Sequence, residues 1–291
     1  MGKNILTTDN LTKEYREVTA NKNISVQIER GKIVGLIGRN GSGKTTFLRM
    51  VTGLVKPTSG SVDKKYVNVG AIVEAPAFFK GMSGIRNMYY HAKLIGASKE
   101  DALITLKKCG LNPDDKKRVG NYSLGMKQRL GIALALLSKP EMLILDEPTN
   151  GLDPEGIIEL RAFLKELSHK ENMTILVSSH ILSELAQIAD SFVIINNGML
   201  VETLTAEDLQ NKIKKHIIVK TEDENAANVL EKLKNDGVIE DFKAGESEFI
   251  IYEPKDVNLL IKAIAELDVI DIMSKNDTLE TYYLDKVGGA V

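Results

Sequence analysis

The run Gly38-Arg39-Asn40-Gly41-Ser42-Gly43-Lys44-Thr45-Thr46 has the G-x-x-x-x-G-K-[ST] spacing of a loop that cradles phosphate groups. Each residue type has a chemical reason. Gly38, Gly41 and Gly43 let backbone N–H groups turn inward around phosphate oxygens. Asn40, Ser42 and Thr46 complete the nucleotide-contacting stretch. Lys44 can reach the β- and γ-phosphates, and the Thr45 hydroxyl can ligate Mg²⁺. A second pair, Asp146-Glu147, follows Met142-Leu143-Ile144-Leu145. Asp146 would hold Mg²⁺ directly or through water. Glu147 would orient or deprotonate the attacking water. The expected chemistry is hydrolysis of a nucleoside triphosphate, with Mg²⁺ bound beside its phosphates.

These side chains need particular elements beneath them. Lys32 to Ile37 is apolar and β-branched, which predicts a buried strand entering the loop. Thr45 to Val51 has helical spacing, and Gly53 stands ready to cap that helix. The helix N-terminus adds partial positive charge to the loop. Met142 to Leu145 reads as a second buried strand whose C-terminal tip carries the carboxylates. Open parallel α/β sheets place ligands beyond such tips, so the fold class is α/β.

Further motifs follow in an order that names a family. Tyr122-Ser123-Leu124-Gly125-Met126-Lys127-Gln128-Arg129 precedes an apolar helical pattern. It resembles the signature motif of ATP-binding-cassette (ABC) ATPases, usually Leu-Ser-Gly-Gly-Gln. Ser123 and Gly125 agree; Tyr122, Leu124 and Met126 depart. Ser123 alone also reads as a helix N-cap. Pro148 to Pro154 resembles the loop that joins two such subunits. Thr174 to His180 resembles the strand that ends in the family's switch histidine, His180. Tyr15 resembles the aromatic residue that stacks on adenine. The resemblance spans about residues 5–210. It implies a dimer that closes on ATP, with Ser123 and Gly125 of one subunit facing the phosphate loop of the other. Lys44, Glu147 and His180 would then carry catalysis. The partner is either a second copy or a sister ATPase. The cassette domain is placed at residues 1–210, with a helical signature subdomain at about 75–140.

After the strand Val69 to Val73, most family members carry glutamine; here Glu74 stands in Glu74-Ala75-Pro76. That position touches Mg²⁺ in the family, and a carboxylate is a harder ligand with a full charge. Glu-Ala-Pro resembles the ATPase subunits of lantibiotic-immunity and bacitracin-resistance transporters. The implied role is to power a separate membrane permease that exports an antimicrobial peptide.

Composition is compatible. The chain has 291 residues, 43 % hydrophobic and 27 % charged, enough for one large domain and a small one. A net charge of −2 provides no basic field for nucleic acid, which is not expected as a partner. The single cysteine, Cys109, has no internal disulfide partner and reads as a small buried residue near a helix end, in a reducing setting. Met1-Gly2-Lys3-Asn4 opens no signal segment, and Thr7 falls one place late for myristoylation at Gly2. No apolar run of about 18 residues is present. The resemblance to transporter ATPase subunits implies a peripheral location, on the cytoplasmic face of the cell membrane. An alternative is a soluble cassette acting on ribosomes, DNA or cofactor assembly. The single cassette, without coiled-coil insertion, cysteine cluster or basic stripe, opposes it. A non-hydrolysing sensor is opposed by the intact Lys44, Asp146, Glu147 and His180.

The tail, residues 211–291, reads as a separate α+β unit. Asn211 to Lys215 is a basic connector, and Lys212, Lys214 and Lys215 form a solvated face. Strand, helix, strand, strand, helix, strand follow, between His216 and Met273, and a short helix closes at Thr278 to Val287. That order suggests a small ferredoxin-like fold, serving packing or dimer stabilisation.

Overall fold

A computed structural model describes residues 3–64, 67–213, 215–245 and 247–288. Met1, Gly2 and Lys214, named above, lie outside them. The chain divides into two compact units, Met1–Ala206 and Glu207–Val291.

The first unit opens with an antiparallel sheet. Strand β1 (Asn4–Tyr15) pairs with β2 (Val18–Ile24), β3 (Gln27–Glu29) and the later β5 (Ser59–Asp63). Next comes β4 (Ile33–Ile37), buried at every residue, and α1 (Lys44–Thr52), capped by Gly53 in the left-handed conformation. Strand β6 (Val69–Ile72) leads to three helices, α2 (Gly84–Ile95), α3 (Lys99–Lys108) and α4 (Leu124–Leu136). The rest is β7 (Met142–Leu145), α5 (Pro154–Glu171), β8 (Thr174–Ser179), α6 (Leu182–Ala186), β9 (Ser191–Asn196) and β10 (Met199–Thr205).

The central sheet has the order β10-β9-β4-β8-β7-β6. It is parallel except for β10, which runs antiparallel to β9. Continuous burial of β4, β7 and β8 is what a sheet covered on both faces requires. Phe47, Leu48, Met50 and Val51 of α1 join one apolar cluster with Val34 and Leu36 of β4, Ile144 of β7 and Leu176 of β8. The same cluster takes in Ile5, Leu11, Ile24 and Ile28 of the antiparallel sheet. The helix behind the phosphate loop is thereby clamped by residues of two sheets.

Helix α3 starts with a reciprocal cap, in which Asp101 N–H donates to Ser98 Oγ and Ser98 N–H donates to Asp101 Oδ2. Asp101 also pairs with Lys139 at 2.8 Å, just beyond α4. The Lys139 ammonium, assisted by Ser98, holds the Asp101 carboxyl down at about 2. Cys109 caps the other end of α3 and is fully buried, which pushes its thiol up to about 12 and keeps it inert.

The second unit opens with α7 (Ala206–Lys212), so Asn211 and Lys212, expected in a connector, end a helix instead. Its elements are β11 (Lys215–Thr221), α8 (Ala226–Asn235), β12 (Asp241–Ala244), β13 (Glu248–Tyr252), α9 (Val257–Ile264), β14 (Val269–Asn276) and α10 (Leu279–Val287). The sheet order β12-β13-β11-β14 is antiparallel throughout, the ferredoxin-like arrangement. Val219, Phe249 and Ile251 of the sheet pack with Leu230 and Leu233 of α8 and Leu260 and Ile264 of α9.

Candidate functional site

Strands β4, β8 and β7 are neighbours in parallel register, with Ile37 beside Ser179 and Leu145 beside Val177. Their C-terminal tips therefore bring together the loop from Gly38, the carboxylates Asp146 and Glu147, and His180. The loop reverses through Gly41 at φ 80° and Gly43 at φ 103°. At Gly43 a side chain has no room, because a Cβ would stand 2.5 Å from the Ala20 carbonyl oxygen. Asn21, fully buried on β2, donates its Nδ2–H to the Gly43 carbonyl at 3.3 Å. The antiparallel sheet thus holds the loop from outside.

Lys44 is 6 % exposed. Its ammonium donates to the Gly38 carbonyl at 2.7 Å and lies 3.4 Å from Glu147 Oε1. Glu147 Oε2 lies 2.7 Å from His180 Nδ1 and accepts from the His180 backbone N–H at 3.3 Å. A carboxylate only accepts, so His180 carries its proton on Nδ1. Glu147 sits at φ 49°, a backbone conformation costly for a residue with a side chain, on the order of 1–3 kcal/mol.

Ser178 helps hold it there. Its Oγ accepts the Glu147 backbone N–H at 2.9 Å and donates to Asp146 Oδ1 at 2.6 Å. Asp146 Oδ2 in turn accepts from Thr45 Oγ1 at 2.8 Å. Nothing in the sequence singles out Ser178 beyond its place two residues before the switch histidine, because a serine inside an apolar strand carries no motif.

A cleft of about 490 Å³ opens over the loop, lined from Asn40 to Thr46, by Glu147, by Val18, Thr19 and Ala20 of β2, and by Asn197 and Gly198. Polar groups point into a space suited to an anion, and the buried Ser42 hydroxyl has no hydrogen-bond partner. Val18, Asn197 and Gly198 carried no sequence signal. Tyr15 pairs with Val18 across the hairpin, is 42 % exposed, and has Lys13 Nζ 4.9 Å above its ring.

Glu74 follows β6 at φ 69° and is ion-paired with Arg49 of α1. Thr45 and Asp146 supply oxygens to one point, but no group of three His, Cys, Asp or Glu side chains able to hold a metal exists among the described residues. The donor set suits a hard cation completed by phosphate oxygens and water.

Ser123 and Gly125 lie elsewhere. Ser123 caps α4, its Oγ accepting the Met126 N–H at 3.2 Å. Together with Gly151, Leu152 and Asp153 they line a second cleft of about 540 Å³, which shares no lining residue with the first. Tyr122, a departure from the family signature, is buried, and its hydroxyl accepts the Gly84 N–H at 3.2 Å. It fastens the signature to the start of α2.

Comparison with known proteins agrees with this geometry. Residues 21–150 match the ABC transporter family. The bacitracin transport ATP-binding protein BcrA of Bacillus licheniformis is 40 % identical, with 98 % of each chain covered. The lantibiotic transport ATP-binding protein SrtF of Streptococcus pyogenes is 43 % identical over 68 % of this chain and 89 % of its own. A dimeric ATP-binding cassette bound to ADP and Pi superposes with a TM-score of 0.63, at 23 % identity, over 69 % of this chain and 98 % of its own. Its likeness is one of fold. Identity sustained along the whole of BcrA, by a chain whose strand tips gather a phosphate loop, an acidic pair and a histidine, settles the family: this chain belongs to the ATP-binding proteins of ABC transporters.

Proposed function

We propose that the chain hydrolyses ATP to drive a separate transmembrane permease, as a peripheral subunit on the cytoplasmic face of the membrane. The cargo we assign is an antimicrobial peptide of the bacitracin or lantibiotic class, exported for self-protection or resistance. The observation that carries the ATPase reading is the knot of Lys44, Glu147 and His180 over the phosphate loop. The named activities of BcrA and SrtF, with Glu74 in its Glu-Ala-Pro setting, support the cargo.

In this reading Lys44 exchanges the Gly38 carbonyl and Glu147 for phosphate oxygens. Thr45 and Asp146 would hold Mg²⁺, which neutralises charge on the phosphates. Glu74 would join that shell by giving up Arg49. Glu147 accepts a proton from the attacking water, and His180 keeps the carboxylate aimed. Tyr15 would offer its ring to the adenine. Because Ser123 and Gly125 line a separate cleft, they serve the ATP of a second subunit, in a homodimer or with a sister ATPase.

The permease contact fits the groove beside the end of β6, which Pro76, His91 and Leu134 help to line. Burial there lowers the His91 pKa, so the groove presents a neutral ring.

The test is affinity purification of Glu147→Gln with MgATP from detergent-solubilised membranes. Co-purification of a polytopic membrane protein is the expected result. Recovery of soluble proteins alone would overturn the transporter role. For the cargo, cells expressing the chain with that permease should tolerate more bacitracin or lantibiotic; unchanged susceptibility to both sinks the peptide assignment.

A further inference from the structure

Strand β14 is an edge: among the described residues of the second unit it pairs only with β11. Such edges are normally short, charged or covered, because free N–H and C=O groups invite another strand. This one is eight residues long, and every residue from Ile270 to Lys275 is exposed. Ile270 is 66 % exposed, Ile272 47 % and Met273 39 %. Ile272 stands opposite Val219, on the face that packs against α8 and α9. Val257, Leu259 and Ile261 of α9 leave more apolar surface open in the same unit. Neither Asp271 nor Lys275 makes an ion pair with another described residue, although Asp271 lies opposite Lys220 of β11.

The sequence of the edge is complementary to itself. Two copies of one strand that pair antiparallel about a twofold axis place residues of the same face opposite each other, so the axis must pass through a residue. An axis at Met273 sets Asp271 opposite Lys275 of the other copy, twice, and Ile272 opposite Ser274. An axis at Asp271 or at Lys275 sets like charges against themselves. An axis at Ser274 sets Asp271 against Asp277. An axis at Ile272 matches no charges. Cross-strand charge pairs select register in this way.

We propose that β14 is a homodimerisation edge, joining two copies of this chain through an antiparallel pair centred on Met273 into one continuous eight-stranded sheet. This association needs no nucleotide and is separate from the ATP-closed pairing of cassettes.

The test is sedimentation equilibrium of the full chain without nucleotide, with variants at residues remote from the phosphate loop. Wild type should show twice the 32.0 kDa chain mass. Lys275→Asp opposes Asp271 with a second acid on both sides and should weaken the dimer about 10-fold or more. Asp271→Lys combined with Lys275→Asp restores both pairs and should recover most of the loss. Met273→Cys should cross-link to itself under mild oxidation, because residues directly opposite approach to disulfide range. Native Cys109, being buried, should not cross-link. A monomeric wild type, or equal dissociation constants for the single and double variants, would overturn the proposal.

Discussion

In the proposed mechanism, Glu147 is the residue on which turnover depends most directly. Glu147→Gln keeps the shape and its place beside Lys44 while removing the base, so steady-state ATPase assays should fall about 10²-fold or more with ATP binding retained. Ser178 is a subtler case. Ser178→Ala leaves the Glu147 N–H without its acceptor and Asp146 with one donor fewer. We expect kcat to fall while the affinity for nucleotide measured without Mg²⁺ stays near wild type, and the Mg²⁺ requirement to shift upward. Wild-type kcat and Mg²⁺ dependence in that variant would count against a positioning role. Glu147 and Lys44 were legible in the sequence because their motifs are contiguous and each residue type has a chemical reason. Ser178 and Asn21 were not. Both act through hydrogen bonds between segments that meet only after folding.

At the scale of elements, Tyr122 is the bolt between α2 and the signature. Tyr122→Phe strands the buried Gly84 N–H and should cost about 1–3 kcal/mol in denaturant unfolding, with ATP affinity little changed. The Asp101 pair that caps α3 gives a pH signature. Its carboxyl titrates at about 2 in the folded chain against 3.8 in the reference state. A depressed acid stabilises fully above 3.8, and that contribution is lost as pH falls from 3.8 to about 2. Asp101→Asn should flatten the acid-unfolding curve across that window. The parallel strands and the helices were readable from apolar runs, glycines and caps. The first sheet was not, because β1 carries Thr7-Thr8-Asp9-Asn10 through its middle and lacks strict alternation. Its partner β5 lies beyond the loop and α1, so their pairing is set by long-range packing.

For the whole molecule, the chain divides between Ala206 and Glu207, and composition and the β-α-β-β-α-β order point to a separate tail. Sheet order in the tail was fixed by connection rules more than by residue chemistry, which is why a coarse element string sufficed. Strand ends there shifted by a few residues: β14 runs to Asn276, where apolar content stops at Met273.

The two clefts with no common lining residue have a kinetic meaning. If Ser123 and Gly125 of one copy complete the phosphate-loop site of another, as proposed, chains diluted until the β14 pair dissociates should hydrolyse ATP with a rate second order in protein. Specific activity should rise with concentration until pairing saturates, and a dilution series would reveal it directly. Anchoring two copies to one membrane complex changes that order. The encounter becomes intramolecular, with an effective concentration of roughly millimolar for short tethers. Hydrolysis is then governed by the geometry of the anchor, which links fuel consumption to the presence of a permease without any dedicated inhibitor.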